Sequence, residues 1–187
     1  MANSNTKVIT GPDTVFSYLT VLEPKITLGG TPKYSVSLII PKSDTATIQK
    51  IRDAIRTAYE EGESRLKGNG KTVPPLEQIR TPLRDGDRDR PDDPAYKNAY
   101  FVNASSANKP GIVGADLQEI IDPHELYSGI IGRASITFFA YNSNGNRGIG
   151  CGLNHLKKLK DGTPLGGFSR AEDDFAGLDD EDEDFLG

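Results

Sequence analysis

From Ile130 to Tyr141 the chain alternates with a period of two. Ile130, Ala134, Ile136, Phe138 and Ala140 fall on one face, and Arg133, Ser135, Thr137, Phe139 and Tyr141 on the other. A run of this length and period is a β-strand with one side buried, and it commits the fold to a sheet. Asn142 to Asn146 predicts a hairpin loop, with Arg147 to Leu153 as the returning strand. Val15 to Leu22 alternates too, placing Val15, Leu19 and Val21 opposite Phe16, Tyr18 and Thr20. So does Tyr34 to Ile40, where Tyr34, Val36, Leu38 and Ile40 share a face, and the sequence Gly29-Gly-Thr-Pro32 supplies the turn between the two. Tyr100 to Ala104 reads as a further short strand.

One helix interrupts the strands. Ile48, Ile51, Ile55, Ala58 and Tyr59 recur at helical spacing between about Thr45 and Glu61, with Ser43 or Asp44 as the cap and Gly62 at the end. After it, residues 63–98 lack periodicity and carry Pro74, Pro75, Pro82, Pro91 and Pro94. Their eight basic and seven acidic groups nearly cancel. So long an aperiodic stretch is either functional or mobile. It reads as an insertion on one domain, mobile when free and partly ordered by a ligand. Five or six strands, one amphipathic helix and a long insertion suit a mainly β, Greek-key barrel of the OB type, with a β-sandwich as the competing architecture.

Charge divides the chain. Residues 1–170 hold 22 basic and 18 acidic groups, whereas residues 171–187 hold nine acidic groups and no basic one. Mutual repulsion and few apolar groups predict a disordered tail on a basic body. The tail ends on Phe185 and Leu186, apolar groups for which a purely solubilising segment has no use. No run of 18 apolar residues exists and the first residues lack a signal-peptide core, so a soluble, cytoplasmic protein with no membrane association is expected. The single Cys151 cannot form an internal disulfide.

Catalytic patterns are incomplete. Gly68-Asn-Gly-Lys-Thr72 has Arg65 where a phosphate-binding loop needs glycine, and a helix precedes it where a strand is required. Asp85, Asp87 and Asp89, followed by Asp92 and Asp93, offer carboxylates to a divalent cation, but interleaved Arg88 and Arg90 oppose one. Cys151 with His155 is a conceivable nucleophile and base, against the commoner reading of a buried thiol. No enzyme, metal site or cofactor is expected.

The polar face of the longest strand is more telling. Arginine and aromatic side chains on the solvent side of a sheet are what a single nucleic-acid strand requires. Rings stack on bases and cations follow phosphates. Phe16, Tyr18, Phe101, Phe139 and Tyr141, with Arg84, Lys109, Arg133 and Arg147, form the expected interface. The alternative is that these rings form a second small core beneath the insertion.

Five blocks add a resemblance. They are Pro82-Leu-Arg-Asp-Gly-Asp87, the stretch from Tyr100 to Pro110, Tyr127-Ser-Gly129 leading to Arg133, Gly148-Ile-Gly-Cys-Gly-Leu-Asn154, and Asp161-Gly-Thr-Pro-Leu-Gly-Gly167. In that order they resemble a tailed-phage family of single-stranded DNA-binding proteins, from about Val8 to Gly167. The resemblance implies an OB barrel at 1–170 that binds single-stranded DNA non-specifically in phage replication, recombination or repair. The segment 171–187 is similar in kind to the acidic tails through which such proteins recruit phage or host replication and recombination proteins. Asp182, Glu183, Asp184, Phe185 and Leu186 stand where the partner would bind. The remaining alternatives are a phage structural or assembly protein on the same barrel, and a metal-dependent nuclease using Asp85, Asp87 and Asp89.

Overall fold

The computed structural model describes residues 4–26 and 30–165. The acidic segment with Asp182, Glu183, Asp184, Phe185 and Leu186 lies outside the described residues. In chain order the elements are β1 (Lys7–Ile9), β2 (Thr14–Lys25), β3 (Lys33–Pro41), α1 (Thr45–Glu61), α2 (Glu63–Lys67) and β4 (Leu83–Asp85). Then come α3 (Gly86–Asp89), β5 (Ala99–Ser106), β6 (Gly111–Val113), β7 (Ile131–Ser143) and β8 (Asn146–Lys160).

Pairing follows β7–β2–β3–β5–β8 and returns from β8 to β7, so five strands close a ring. All these contacts are antiparallel except β5 with β8, which meet in parallel at Ser105 and Gly152. Closure removes the open edges of a sheet and makes the barrel the OB type expected from the sequence, not a sandwich. Inside lie Val36, Leu38 and Ile40 of β3, Ile136 and Phe138 of β7, and Ile149, Cys151 and Leu153 of β8. Each such aliphatic or aromatic side chain contributes about 1.5–3 kcal/mol by leaving water.

The helix forms where the periodicity places it. Asp44 caps α1, accepting from the Thr47 amide at 3.2 Å and the Thr47 hydroxyl at 2.7 Å. Ile48, Ile51, Ala54, Ile55 and Ala58 are buried, and the helix packs on β1 and β7. Gly62 ends it for a reason other than left-handed backbone. Its φ is −100°, and an added Cβ would lie 2.2 Å from the Ala140 Cβ. The helix terminus approaches β7 too closely for any side chain.

One turn and one bulge set strand register. Asn144 and Gly145 have φ of 52° and 87° between the paired Ser143 and Asn146, the left-handed pair that a tight hairpin needs. In β2, Ser17 pairs with Ser37 but Thr20 with Ser35, so one extra residue bulges out near Tyr18, whose φ is 47°. The freed Leu19 amide donates to Ser128 Oγ at 3.0 Å. A bulge reverses the parity of a strand. Phe16 and Val21 therefore both point inward, and the expectation that Phe16 shares an exposed face with Tyr18 is corrected: Phe16 is 0% exposed.

Residues 63–98 are anchored to the barrel. Leu66 and Tyr96 are fully buried, β4 pairs with β5, and the Ile149 amide donates to the Arg80 carbonyl at 2.8 Å. Among the described residues no helix is long and apolar enough to cross a membrane.

Candidate nucleic-acid interface

Near the β7–β8 hairpin the outward side chains of β7 are Phe139 and Tyr141, and their cross-strand partners on β8 are Gly150 and Gly148. Beside them an open groove of about 470 Å³ runs toward β5 and β3. Asn103 and Ser105 of β5 line it, Lys33 enters from the start of β3, and the insertion contributes Arg80, Thr81, Pro82 and Arg84. That wall is held by backbone. Arg84 pairs with Phe101 in the β4–β5 ladder, and Arg80 bridges to Gly148 in parallel.

The groove is electropositive. Lys33, Arg80 and Arg84 line it, and no carboxylate does among its described residues. None of the three is ion-paired among the described residues. Phe139 is 46% exposed, so a ring is presented to solvent within a cationic trough. Arg147 borders an adjoining depression that shares Arg80. Unpaired guanidinium groups attract phosphate, and an exposed ring offers a base a stacking surface.

Of the residues expected at the interface, the fold brings Arg84, Phe139 and Tyr141 together and sets Arg147 next to them. It separates the others. Lys109 is exposed in the β5–β6 connection. Arg133 lies toward the far end of β7, where its guanidinium donates to the Thr10 carbonyl at 3.2 Å. Tyr18 is 56% exposed, with the Arg90 guanidinium 5.3 Å from its ring centre. Phe101 is corrected along with Phe16. It is 2% exposed and packs edge-on against Tyr96 at 4.9 Å, in a second small core with Ile39 and Ala99. The alternative weighed from the sequence, rings covered by the insertion, thus holds for Phe101 and not for Phe139. Lys33, Asn103 and Ser105 also line the groove, and the sequence reading does not single them out. Nothing in their local sequence marks them, because only barrel closure brings β3 and β5 beside β8.

Two of the three aspartates of the nuclease alternative, Asp85 and Asp87, serve the fold. Lys42 Nζ sits 3.0 Å from Asp85 Oδ1 and 2.8 Å from Asp87 Oδ2, tying the insertion to the end of β3. The Lys42 ammonium and the Asn98 amide hold the Asp87 carboxyl below its usual range. Asp87 and Asp85 in turn raise the Lys42 ammonium. Among the described residues no group of three His, Cys, Asp or Glu side chains is placed to hold a metal ion. Burial pushes the Cys151 thiol up, and His155, exposed, accepts from the Gly111 amide at 3.1 Å through Nδ1. A buried, protonated thiol is a poor nucleophile.

The chain is similar to several phage proteins. Protein p50 of Acyrthosiphon pisum secondary endosymbiont phage 1 is 26% identical over 145 residues, 74% of either chain. The single-stranded DNA-binding protein of bacteriophage Enc34, solved in complex with single-stranded DNA, is 25% identical with a TM-score of 0.69, over 87% of this chain and 91% of that one. The single-stranded DNA-binding protein gp2.5 of bacteriophage T7 shares the fold at 16% identity and a TM-score of 0.59, over 92% of this chain and 94% of that one. The profile describing the single-stranded DNA-binding protein of Enterobacter phage Enc34 matches residues 6–186. With nearly its whole length matched, the chain belongs to the Enc34 family of phage single-stranded DNA-binding proteins, which are binding proteins and not enzymes.

Proposed function

We propose that this chain binds single-stranded DNA in the groove between the insertion and the β7–β8 hairpin, without reading base sequence. It does so in the host cytoplasm during phage DNA replication, recombination or repair. The observation that carries this reading is the convergence of Lys33, Arg80 and Arg84 with Phe139 and Tyr141 on one trough free of described carboxylates. Stacking contributes about 1–3 kcal/mol per base whatever the base, and phosphate contacts add a salt-dependent term. Titrating labelled oligonucleotides of different composition, with and without Mg²⁺, tests it. Similar affinities that fall with salt and leave the DNA intact are expected. Shortened products would restore the nuclease alternative, and no binding would leave the assembly protein.

The acidic segment 171–187 acts, in this proposal, as a tethered competitor of DNA and as a recruiting peptide. Its nine acidic groups follow a body of 22 basic and 18 acidic groups. Tethering gives it a high local concentration at the groove, while salt screening keeps its occupancy weak. DNA displaces it and frees Phe185 and Leu186 for a replication or recombination partner. Truncation after Arg170 is expected to tighten DNA binding, most at low salt, and to abolish partner capture. Replacing Phe185 and Leu186 by alanine is expected to lose only the partner. Unchanged DNA affinity on truncation rules out competition, and unchanged capture by the double variant rules out the apolar tip.

A further inference from the structure

Beyond the hairpin β8 presents glycine at three successive outward positions: Gly148, Gly150 and Gly152, opposite Tyr141, Phe139 and Thr137. Glycine weakens a strand interior, because it has no side chain to pack and much freedom to lose. Three in alternation, all on the groove side, need a cause, and the distances supply one. A Cβ on Gly150 would lie 2.7 Å from Phe139 Cζ and 2.8 Å from its Cε2. A Cβ on Gly152 would be 3.7 Å from Phe139 Cε1, in ordinary contact. A Cβ on Gly148 would be 2.7 Å from the Tyr141 hydroxyl oxygen and 2.8 Å from the Arg80 carbonyl. Both β7 side chains reach across onto the bare backbone of β8, each on its own cross-strand partner. Aromatic cover over strand glycines is a known way to restore packing they forfeit.

We infer that Gly150 is a positioning residue for DNA binding. By carrying no side chain it lets the Phe139 ring rest against β8, and the ring then turns its open face to the groove as a rigid stacking platform. This rests on the proposed groove function and deepens it. The ring keeps an exposed surface while its rotation is limited by the strand behind it, so a base stacks without first ordering the side chain. Gly148 has a double duty. Its bare backbone makes room both for Tyr141 and for the insertion at Arg80, so any substitution there disturbs the groove wall as well.

Gly150 is therefore the clean test. In Gly150→Ala the obstructing atoms belong to the end of a side chain that can swing away, so the barrel is expected to fold with unchanged or slightly higher stability while the ring lifts off. Phe139→Ala is expected to weaken single-stranded DNA binding by about 5- to 150-fold, the equivalent of one stacked base. Gly150→Ala is expected to reproduce about fivefold or more of that loss, and to add nothing in the Phe139→Ala background. An equal loss in both backgrounds would mean that the glycine makes room for the DNA itself, which overturns the inference. So would wild-type affinity in Gly150→Ala. A readout free of DNA separates this from failure of the groove reading. Ring current from Phe139 is expected to shift the Gly150 α-proton resonances upfield in the free protein, and Phe139→Ala to return them. Absence of that shift overturns the positioning role even if DNA binds, whereas its presence in a protein that binds no DNA leaves the geometry and removes the function.

Discussion

Arg84 and Arg90 belong to the same insertion and meet aromatic side chains on the same barrel, yet their surroundings differ. Arg84 lines the open groove with Phe139 and Tyr141. Arg90 lies within 5.1–5.4 Å of the ring centres of Tyr18, Tyr96 and Phe101. Around Arg90 the insertion has laid Tyr96 over the sheet, and its hydroxyl donates to Ser37 Oγ at 2.9 Å. Beside Arg84 the described residues place no such cover. A mixture of arginine and aromatic residues outside a barrel thus has two uses, a small second core or a ligand surface. What separates them is whether another layer of the chain lies on top.

The widest gap between the two regions is in stability. Tyr96→Ala empties a fully buried site and leaves Ser37 without its partner, so denaturant unfolding is expected to show a loss of about 3–5 kcal/mol. Under conditions where the variant is folded, its DNA affinity should stay near wild type. A large affinity loss in the folded variant would merge the two regions into one site. Phe139→Ala is the mirror image. Affinity for single-stranded DNA is expected to fall by about 1–3 kcal/mol, while the unfolding midpoint moves little because the ring is already half-exposed. If stability falls and affinity does not, the groove ring is structural after all.

A smaller contrast separates the two arginines. Arg84→Gln is expected to reduce the slope of log affinity against log salt by about 0.7, the release expected for one phosphate on a single strand. Arg90→Gln should leave that slope unchanged and cost about 0.5–2 kcal/mol of stability through lost cation–π contact. The least effect concerns pH. The carboxyl of Asp87 is depressed by Lys42 and Asn98, so its contribution is full above the ordinary aspartate value of about 3.9 and is lost as pH falls through the lowered value. For Lys42, which is raised, the contribution is full below about 10.4 and is lost only as pH rises past its folded value. As pH is lowered from 7 to 3, hydrogen-exchange protection, taken relative to the intrinsic exchange rate at each pH, should therefore fall at residues 85–98 before it does in the β7–β8 hairpin. The reverse order would show that the Lys42 clasp does not hold the insertion.

The local code was enough for much of this molecule. Period-two runs named β2, β3 and β7, a hairpin loop named the start of β8, Tyr100 to Ala104 was legible as a short strand, and helical spacing with an Asp44 cap named α1, because side-chain alternation, capping and tight turns are decided within a few residues. The same reasoning singled out Phe139, Tyr141 and Arg84, which the fold brings to one groove. It could not decide which aromatic residues remain open to solvent. Parity in β2 depends on a bulge at Tyr18, and no alternating pattern reveals a residue that drops out of the ladder. Phe101 carries the outward signature of its strand, and only packing of Tyr96 from the insertion buries it. Lys33, Asn103 and Ser105 enter the groove because β5 closes on β8 in parallel, a pairing between segments far apart in the chain. Exposure is a property of neighbours brought by tertiary contact, so the sequence by itself determined the strands, the helix and the supply of rings and cations. The closed barrel and its insertion decided which of them stay open to solvent.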